Sequence, residues 1–223
     1  MSPRIGIVAA FPGELKPLVR GWEKRGHVFH GRIGNAPAMA VAGGMGAKSA
    51  AHACELLQQA GPVEALVSIG WAGSLSCGLQ PPQAVGIREV MDAGSGESFV
   101  TANGEGQRLI TLDRVADAQE KRRLAEQYQA ILVDMEAAAV ARIARIKNLE
   151  FYCFKGVSDG PNDRLPDFNR FTGPDGQFQT VAFSAYALAH PKHWKPLGTL
   201  ASNSRQAARQ LALFVDGFFA GSR

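Results

Sequence analysis

The sequence predicts an α/β fold, and three observations carry that prediction. Short continuous apolar runs such as Ile5-Gly6-Ile7-Val8-Ala9-Ala10 read as strands covered on both faces. Stretches with apolar residues at helical spacing, above all 137–146, follow such runs directly. Clusters of Gly, Pro and other small residues mark the handovers between the two. With 223 residues, 46% of them hydrophobic, the chain is long enough for one domain with a substantial core.

Phe11-Pro12-Gly13 ends the first run, and 14–24 resumes as a helix despite Pro17. Residues 28–33 and 38–42 read as strands joined by the turn Gly34-Asn35-Ala36-Pro37. Gly43-Gly44-Met45-Gly46 then feeds a helix over 47–59, which leaves backbone N–H groups for an anion or for sugar hydroxyls. A buried strand at 65–70 ends in a second small-residue loop, Gly70-Trp71-Ala72-Gly73-Ser74. Such a loop permits close approach of backbone to ligand, with a purely steric turn as the alternative. Between 76 and 107 the chain is rich in Gly, Pro, Gln and Ser, with one strand at 87–91.

A strand at 109–112 and a charged surface helix at 118–128 lead to the apolar run Ile131-Leu132-Val133. After the helix at 137–146, a strand at 151–157 ends in Ser158-Asp159-Gly160-Pro161-Asn162-Asp163. A loop at 168–176, a helix at 177–189 and a final helix at 193–219 complete the chain. Asp134-Met135-Glu136 therefore lies where a strand hands over to a helix, the usual place for ligand sites in open α/β sheets. Glu14 and Asp159 also stand at strand ends. Each carboxylate has an ordinary alternative: Asp134 caps a helix, Glu136 and Glu14 occupy first turns, and Asp159 precedes a glycine in a turn.

Several function classes are excluded. The net charge of +4 comes from scattered basic residues with no aromatic-interleaved stripe, so no nucleic-acid partner is expected. Cys54, Cys77 and Cys153 form no CxxC pair, which argues against a disulfide framework or a zinc site and fits a reducing cytosol. No apolar run is long enough to cross a bilayer, and the opening segment is too short for a signal peptide, so a cytoplasmic protein without a membrane partner is expected. Met45-Gly46-Ala47-Lys48-Ser49 lacks the spacing of a phosphate loop, and no G-x-G-x-x-G fingerprint occurs. Neither a cofactor nor a metal is expected.

Val133-Asp134-Met135-Glu136-Ala137-Ala138-Ala139-Val140-Ala141, followed by Lys155-Gly156-Val157-Ser158-Asp159, resembles the purine nucleoside phosphorylase and nucleosidase superfamily. The residues from Ile5 to Glu14 and Trp71-Ala72-Gly73 add weaker matches, and the pattern is most similar to the methylthioadenosine/S-adenosylhomocysteine nucleosidase branch. The resemblance implies one domain with a central mixed, largely parallel sheet flanked by helices, assembled as a homodimer or larger homo-oligomer. It also implies hydrolysis of the N-glycosidic bond of a purine nucleoside, in particular a 5′-thio-adenosine. On this resemblance Asp159 would be the general acid for the leaving base, for which it must carry or share a proton. Glu136 would hold the ribose hydroxyls and stabilise the cationic sugar, and Met135 would pack on the ribose. Ser158, Gly44, Ala72 and Gly73 would contact the substrate. Glu14 would activate the water, as the base does in an inverting glycosidase.

Glu14 separates the branches. Phosphorylases need a cationic pocket, whereas Phe11-Pro12-Gly13-Glu14 holds no arginine and places an anion there. The alternative, a phosphorylase, would use Arg88 for phosphate; a nucleoside-binding module without catalysis is the third reading. Two departures from the family pattern leave the base and the 5′ group open. The segment between Arg88 and Leu109 is short, and 113–116 lacks the aromatic that commonly stacks on adenine. Loss of that ring forfeits on the order of a kcal/mol.

Overall fold

Ten strands pair into one sheet in the computed structural model, which describes residues 4–163, 165–171 and 194–221 and the single positions 173, 179, 183, 186 and 190. β1 (Ile5–Ala9) lies between β4 (Ala36–Ala42) and β5 (Ala65–Ser74), parallel to both. β3 (Val28–Ile33) and β2 (Glu23–Arg25) extend the sheet past β4 in antiparallel fashion. On its other side β5 runs parallel to β10 (Glu150–Asp159), and at Gly73 and Ser74 it meets β9 (Leu132–Asp134) antiparallel. β10 pairs with β6 (Ala84–Asp92), β6 with β8 (Gln107–Thr111), and β8 with β9. Strands β5, β9, β8, β6 and β10 therefore close on themselves, and β7 (Ser98–Val100) hangs from β6. This closure gathers the C-terminal ends of β1, β5 and β10 on one side and brings Val133 opposite Gly73.

The alternation of side chains along the strands divides the core. Ile5, Ile7, Val67, Ile69 and Phe154 face a helix, α5 (Trp194–Gly221), through its Leu211 and Val215. Val8, Leu66, Cys153 and Val157 face the opposite layer. There they meet Leu57 of α2 (Ala47–Ala60) and the alanine-rich side of α4 (Ala137–Ile146). The apolar run of β1 is continuous because both its faces are covered. Phe154 is fully buried and meets Phe218 edge-to-face with ring centroids 5.0 Å apart.

Several elements depart from the sequence-based expectations. The helix expected over 14–24 shrinks to α1 (Pro12–Leu15). Pro17 has no N–H to continue it, and turns run on to Gly21, whose φ of 83° suits glycine. β4 begins at Ala36, so Gly34-Asn35 alone makes the turn. The loop expected at 70–74 is instead the end of β5, held straight by parallel pairing with β10 as far as Gly73. The segment 76–107 contributes β6 and β7, and the loop expected at 168–176 contains a short 3-10 turn, Phe168–Phe171. The helix expected over 177–189 lies outside the described residues apart from isolated positions. The helix expected at 118–128 is present as α3 (Ala118–Tyr128), capped by Asp117, whose carboxylate accepts from the N–H groups of Gln119 and Glu120. No helix among the described residues is long and apolar enough to cross a membrane.

Candidate active site

Glu14 sits at the third position of α1, and its carboxylate turns back over the end of β1. Its Oε2 accepts from the N–H groups of Ala10 and Phe11, both at 2.8 Å, and its Oε1 accepts from the Trp71 N–H at 2.8 Å. The bond to Phe11 is the return arm of a capping box. The other two tie β1 to β5. A Cβ at Gly70 would stand 2.9 Å from Glu14 Oε1, so glycine here lets the carboxylate seat against the strand. Glu14 is 3% exposed, and burial raises its pKa against the pull of these N–H groups and of Lys155.

Asp134 ends β9 and is wholly enclosed. Its Oδ1 accepts from Thr111 Oγ1 at 2.6 Å, and its Oδ2 accepts from the Ala137 N–H at 2.9 Å and from Lys155 Nζ at 2.8 Å. The capping role expected for Asp134 is thus present, joined to a buried ion pair. Burial opposes the charge of Lys155, yet Asp134, Cys153 and Glu136 hold its ammonium above the ordinary lysine range. Glu136 occupies the N-cap position of α4 without capping it. Its Oε1 accepts instead from the Gly46 N–H at 2.7 Å. Burial, and then the negative charge of Asp134, push its pKa up to about 8.

Asp159 closes β10. Its Oδ1 accepts from Ser158 Oγ at 2.5 Å, and its Oδ2 accepts from Lys121 Nζ in a buried ion pair. Lys121 also donates to the Gly160 carbonyl at 2.8 Å. A Cβ at Gly73 would lie 3.1 Å from both Asp159 Oδ2 and Lys121 Nζ, so a larger residue would press on this ion pair.

These groups surround one hollow of about 260 Å³. Glu14, Met135, Glu136, Ser158, Asp159, Ala72 and Gly73, all singled out from the sequence, line it. Gly44 and Arg88 do not. The Gly44 N–H is spent on the Ala10 carbonyl at 2.9 Å and the Gly43 N–H on Ala9 at 3.0 Å, while the Gly46 N–H goes to Glu136. The N–H groups of these three glycines are therefore engaged within the protein, and Met45 is the loop residue that reaches the hollow. Arg88 lies on the exposed side of β6, away from it. Phe11, Trp71 and Phe168 add aromatic walls, although none stands at 113–116. Trp71 is held over the site by its Nε1–H, which donates to the Ser204 carbonyl of α5 at 2.8 Å.

Sequence reasoning missed Lys121, Lys155 and Thr111. The sequence places Lys121 on a charged surface helix, yet it shares the inward face with Leu124, three residues on, and is 2% exposed. That spacing was visible, but Arg122 and Arg123 beside it masked it. Among the described residues no group of three His, Cys, Asp or Glu side chains is placed to hold a metal ion.

The chain is similar to several solved structures, among them nucleosidases and a hydrolase. It superposes on an S-adenosylhomocysteine nucleosidase from Streptococcus pyogenes bound to 5-methylthiotubericidin with a TM-score of 0.74 and 18% identity, covering 100% of this chain and 98% of that one. For a 5′-methylthioadenosine/S-adenosylhomocysteine nucleosidase from S. pneumoniae with a transition-state inhibitor, the TM-score is 0.72 and the identity 19%, covering 97% and 98%. For the futalosine hydrolase of Helicobacter pylori they are 0.72 and 15%, covering 98% and 97%. At such identities the likeness speaks to the fold. A comparison with curated proteins finds no match. The family model described as Phosphorylase superfamily matches residues 4–118 and 105–185, most of the chain. The protein belongs to the phosphorylase superfamily.

Proposed function

We propose that the protein hydrolyses the N-glycosidic bond of a 5′-substituted purine nucleoside and releases the free base. A 5′-thio-adenosine such as methylthioadenosine or S-adenosylhomocysteine is the substrate the family resemblance points to. The observation that carries this reading is the seat of Glu14. Three N–H groups that could hold an oxyanion, two just past β1 and one in β5, are already filled by its carboxylate. An anion fixed there repels phosphate and suits a base that takes a proton from water. Arg88, the phosphate ligand of the alternative reading, lies outside the hollow.

In this reading Glu136 accepts the ribose hydroxyls and, when ionised, stabilises the oxocarbenium-like sugar, while Met135 packs on the ribose. Ala72, Gly73 and Ser158 form the wall against the base. As C1′–N9 breaks, its electron pair passes into the purine, which takes a proton at N7 from the Asp159 corner. The water oxygen bonds C1′ and gives its proton to Glu14. Glu14 must be ionised to do this, so its raised pKa makes it a stronger base than an exposed carboxylate. As in the branch it resembles, the enzyme would be a cytoplasmic homo-oligomer.

Glu14→Gln keeps the three accepting contacts partly intact and removes the base. Its kcat is expected to fall at least ~100-fold on any nucleoside the wild type cleaves. Wild-type turnover in that variant would sink the assignment.

A further inference from the structure

We propose that Lys121 supplies the proton taken up by the departing purine, with Asp159 as the relay rather than the source. The proposal rests on the nucleosidase reading and adds a residue to it. A buried lysine at a site of this kind needs a reason, because an ammonium out of water is costly unless paired and hydrogen-bonded. Lys121 is 2% exposed and lines the hollow. Two of its three N–H donors go to Asp159 Oδ2 and the Gly160 carbonyl, and the third has no acceptor among the described residues. Among the described residues the carboxylate it pairs with is that of Asp159, which the nucleosidase reading sets against the base.

The pair therefore holds one proton in excess of a bare carboxylate, packed close against the backbone of Gly73. Ser158 donates to Asp159 Oδ1, which fixes the carboxylate plane and leaves Oδ2 as the oxygen shared with Lys121. When C1′–N9 breaks, the purine gains negative charge. One proton then moves from Lys121 Nζ to Asp159 Oδ2 and from there to N7. The products are a neutral base, a carboxylate and a neutral amine. Before the step the corner holds an ammonium, a carboxylate and a developing purine anion; afterwards it holds a single charge. Solvent restores the proton once the base has left. Asp159 thus never needs to be protonated at rest, which reconciles its ion pair with the proton the departing base requires.

The test compares Lys121→Met, Lys121→Arg and Asp159→Asn with the wild type on two substrates. One is methylthioadenosine, and the other is p-nitrophenyl β-ribofuranoside, whose nitrophenolate leaves without a proton. The expected result is a kcat loss of at least ~100-fold on the purine nucleoside for all three variants, with KM within about threefold. On the aryl riboside the variants should stay within about tenfold of the wild type. Arginine keeps the ion pair but does not release a proton, so Lys121→Arg must fail like Lys121→Met. Wild-type purine turnover in Lys121→Arg would mean that charge alone matters and would overturn the proposal. Equal losses on both substrates would overturn it too, by showing a structural defect. If the wild type leaves the aryl riboside untouched, the arginine variant decides. If the wild type cleaves no nucleoside at all, the nucleosidase reading falls and the proposal with it; cleavage unaffected by Lys121→Met sinks the proposal alone.

Discussion

Glu136 is the residue whose chemistry is most shaped by its surroundings. It is half-buried beside Asp134, with one backbone N–H and the nearby Lys155 as its compensation. Its carboxyl binds a proton more tightly in the folded protein, at about 8, than the ordinary value of 4.5. A group with a raised folded pKa contributes stability at low pH that is lost as pH rises through this window. Glu136→Gln keeps the acceptor for Gly46 and removes the titration. Its melting temperature should therefore rise relative to the wild type as pH goes from about 5 to about 8.5. A difference that stays constant with pH would contradict the burial argument. If the substrate reading is right, the same variant weakens sugar binding as well as turnover. At Gly70 a methyl group would press on the pinned carboxylate of Glu14, with 2.9 Å between Cβ and Oε1. Gly70→Ala should cut kcat about tenfold or more while the chain still folds, and an unchanged rate would mean that the position of Glu14 is not critical.

At the scale of elements, α5 is the lid of one core layer. Leu211, 1% exposed, and Val215 pack against Ile5, Val67 and Phe154, and Ser204 anchors Trp71 over the hollow. Leu211→Ala should destabilise the fold by about 2–5 kcal/mol in urea unfolding; a loss below ~1 kcal/mol would show that α5 is not integral to the core. Strands β1, β5 and β10 and helices α2, α3 and α4 were legible in the sequence because apolar period and breakers agree there. The end of β5 was not, because Gly70, Ala72 and Gly73 look like a loop while parallel pairing with β10, a non-local effect, keeps them in a strand. The helix proposed for 14–24 failed on Pro17, where local propensity was overrated. The carboxylates were legible as strand-end residues. Their partners Lys121 and Lys155 were not, because lysine in a helix or strand reads as solvated until tertiary packing buries it.

For the whole molecule, closure of β5, β9, β8, β6 and β10 is what turns scattered carboxylates into one site. Glu14 arrives from the end of β1, Glu136 from the start of α4, and Asp159 from the end of β10, and all three line the same hollow. The hollow thus holds three carboxylates, one of them ion-paired with Lys121. On the proposed reading Glu136 serves the sugar, and the N–H groups that an oxyanion would need beside Glu14 are filled by its own carboxylate. The most direct measurement is therefore a set of 5′-substituted purine nucleosides incubated with and without phosphate, with products separated by chromatography. The account predicts free base and free sugar at a rate that phosphate does not change. A rate that depends strictly on added phosphate, with a sugar 1-phosphate as product, would contradict it.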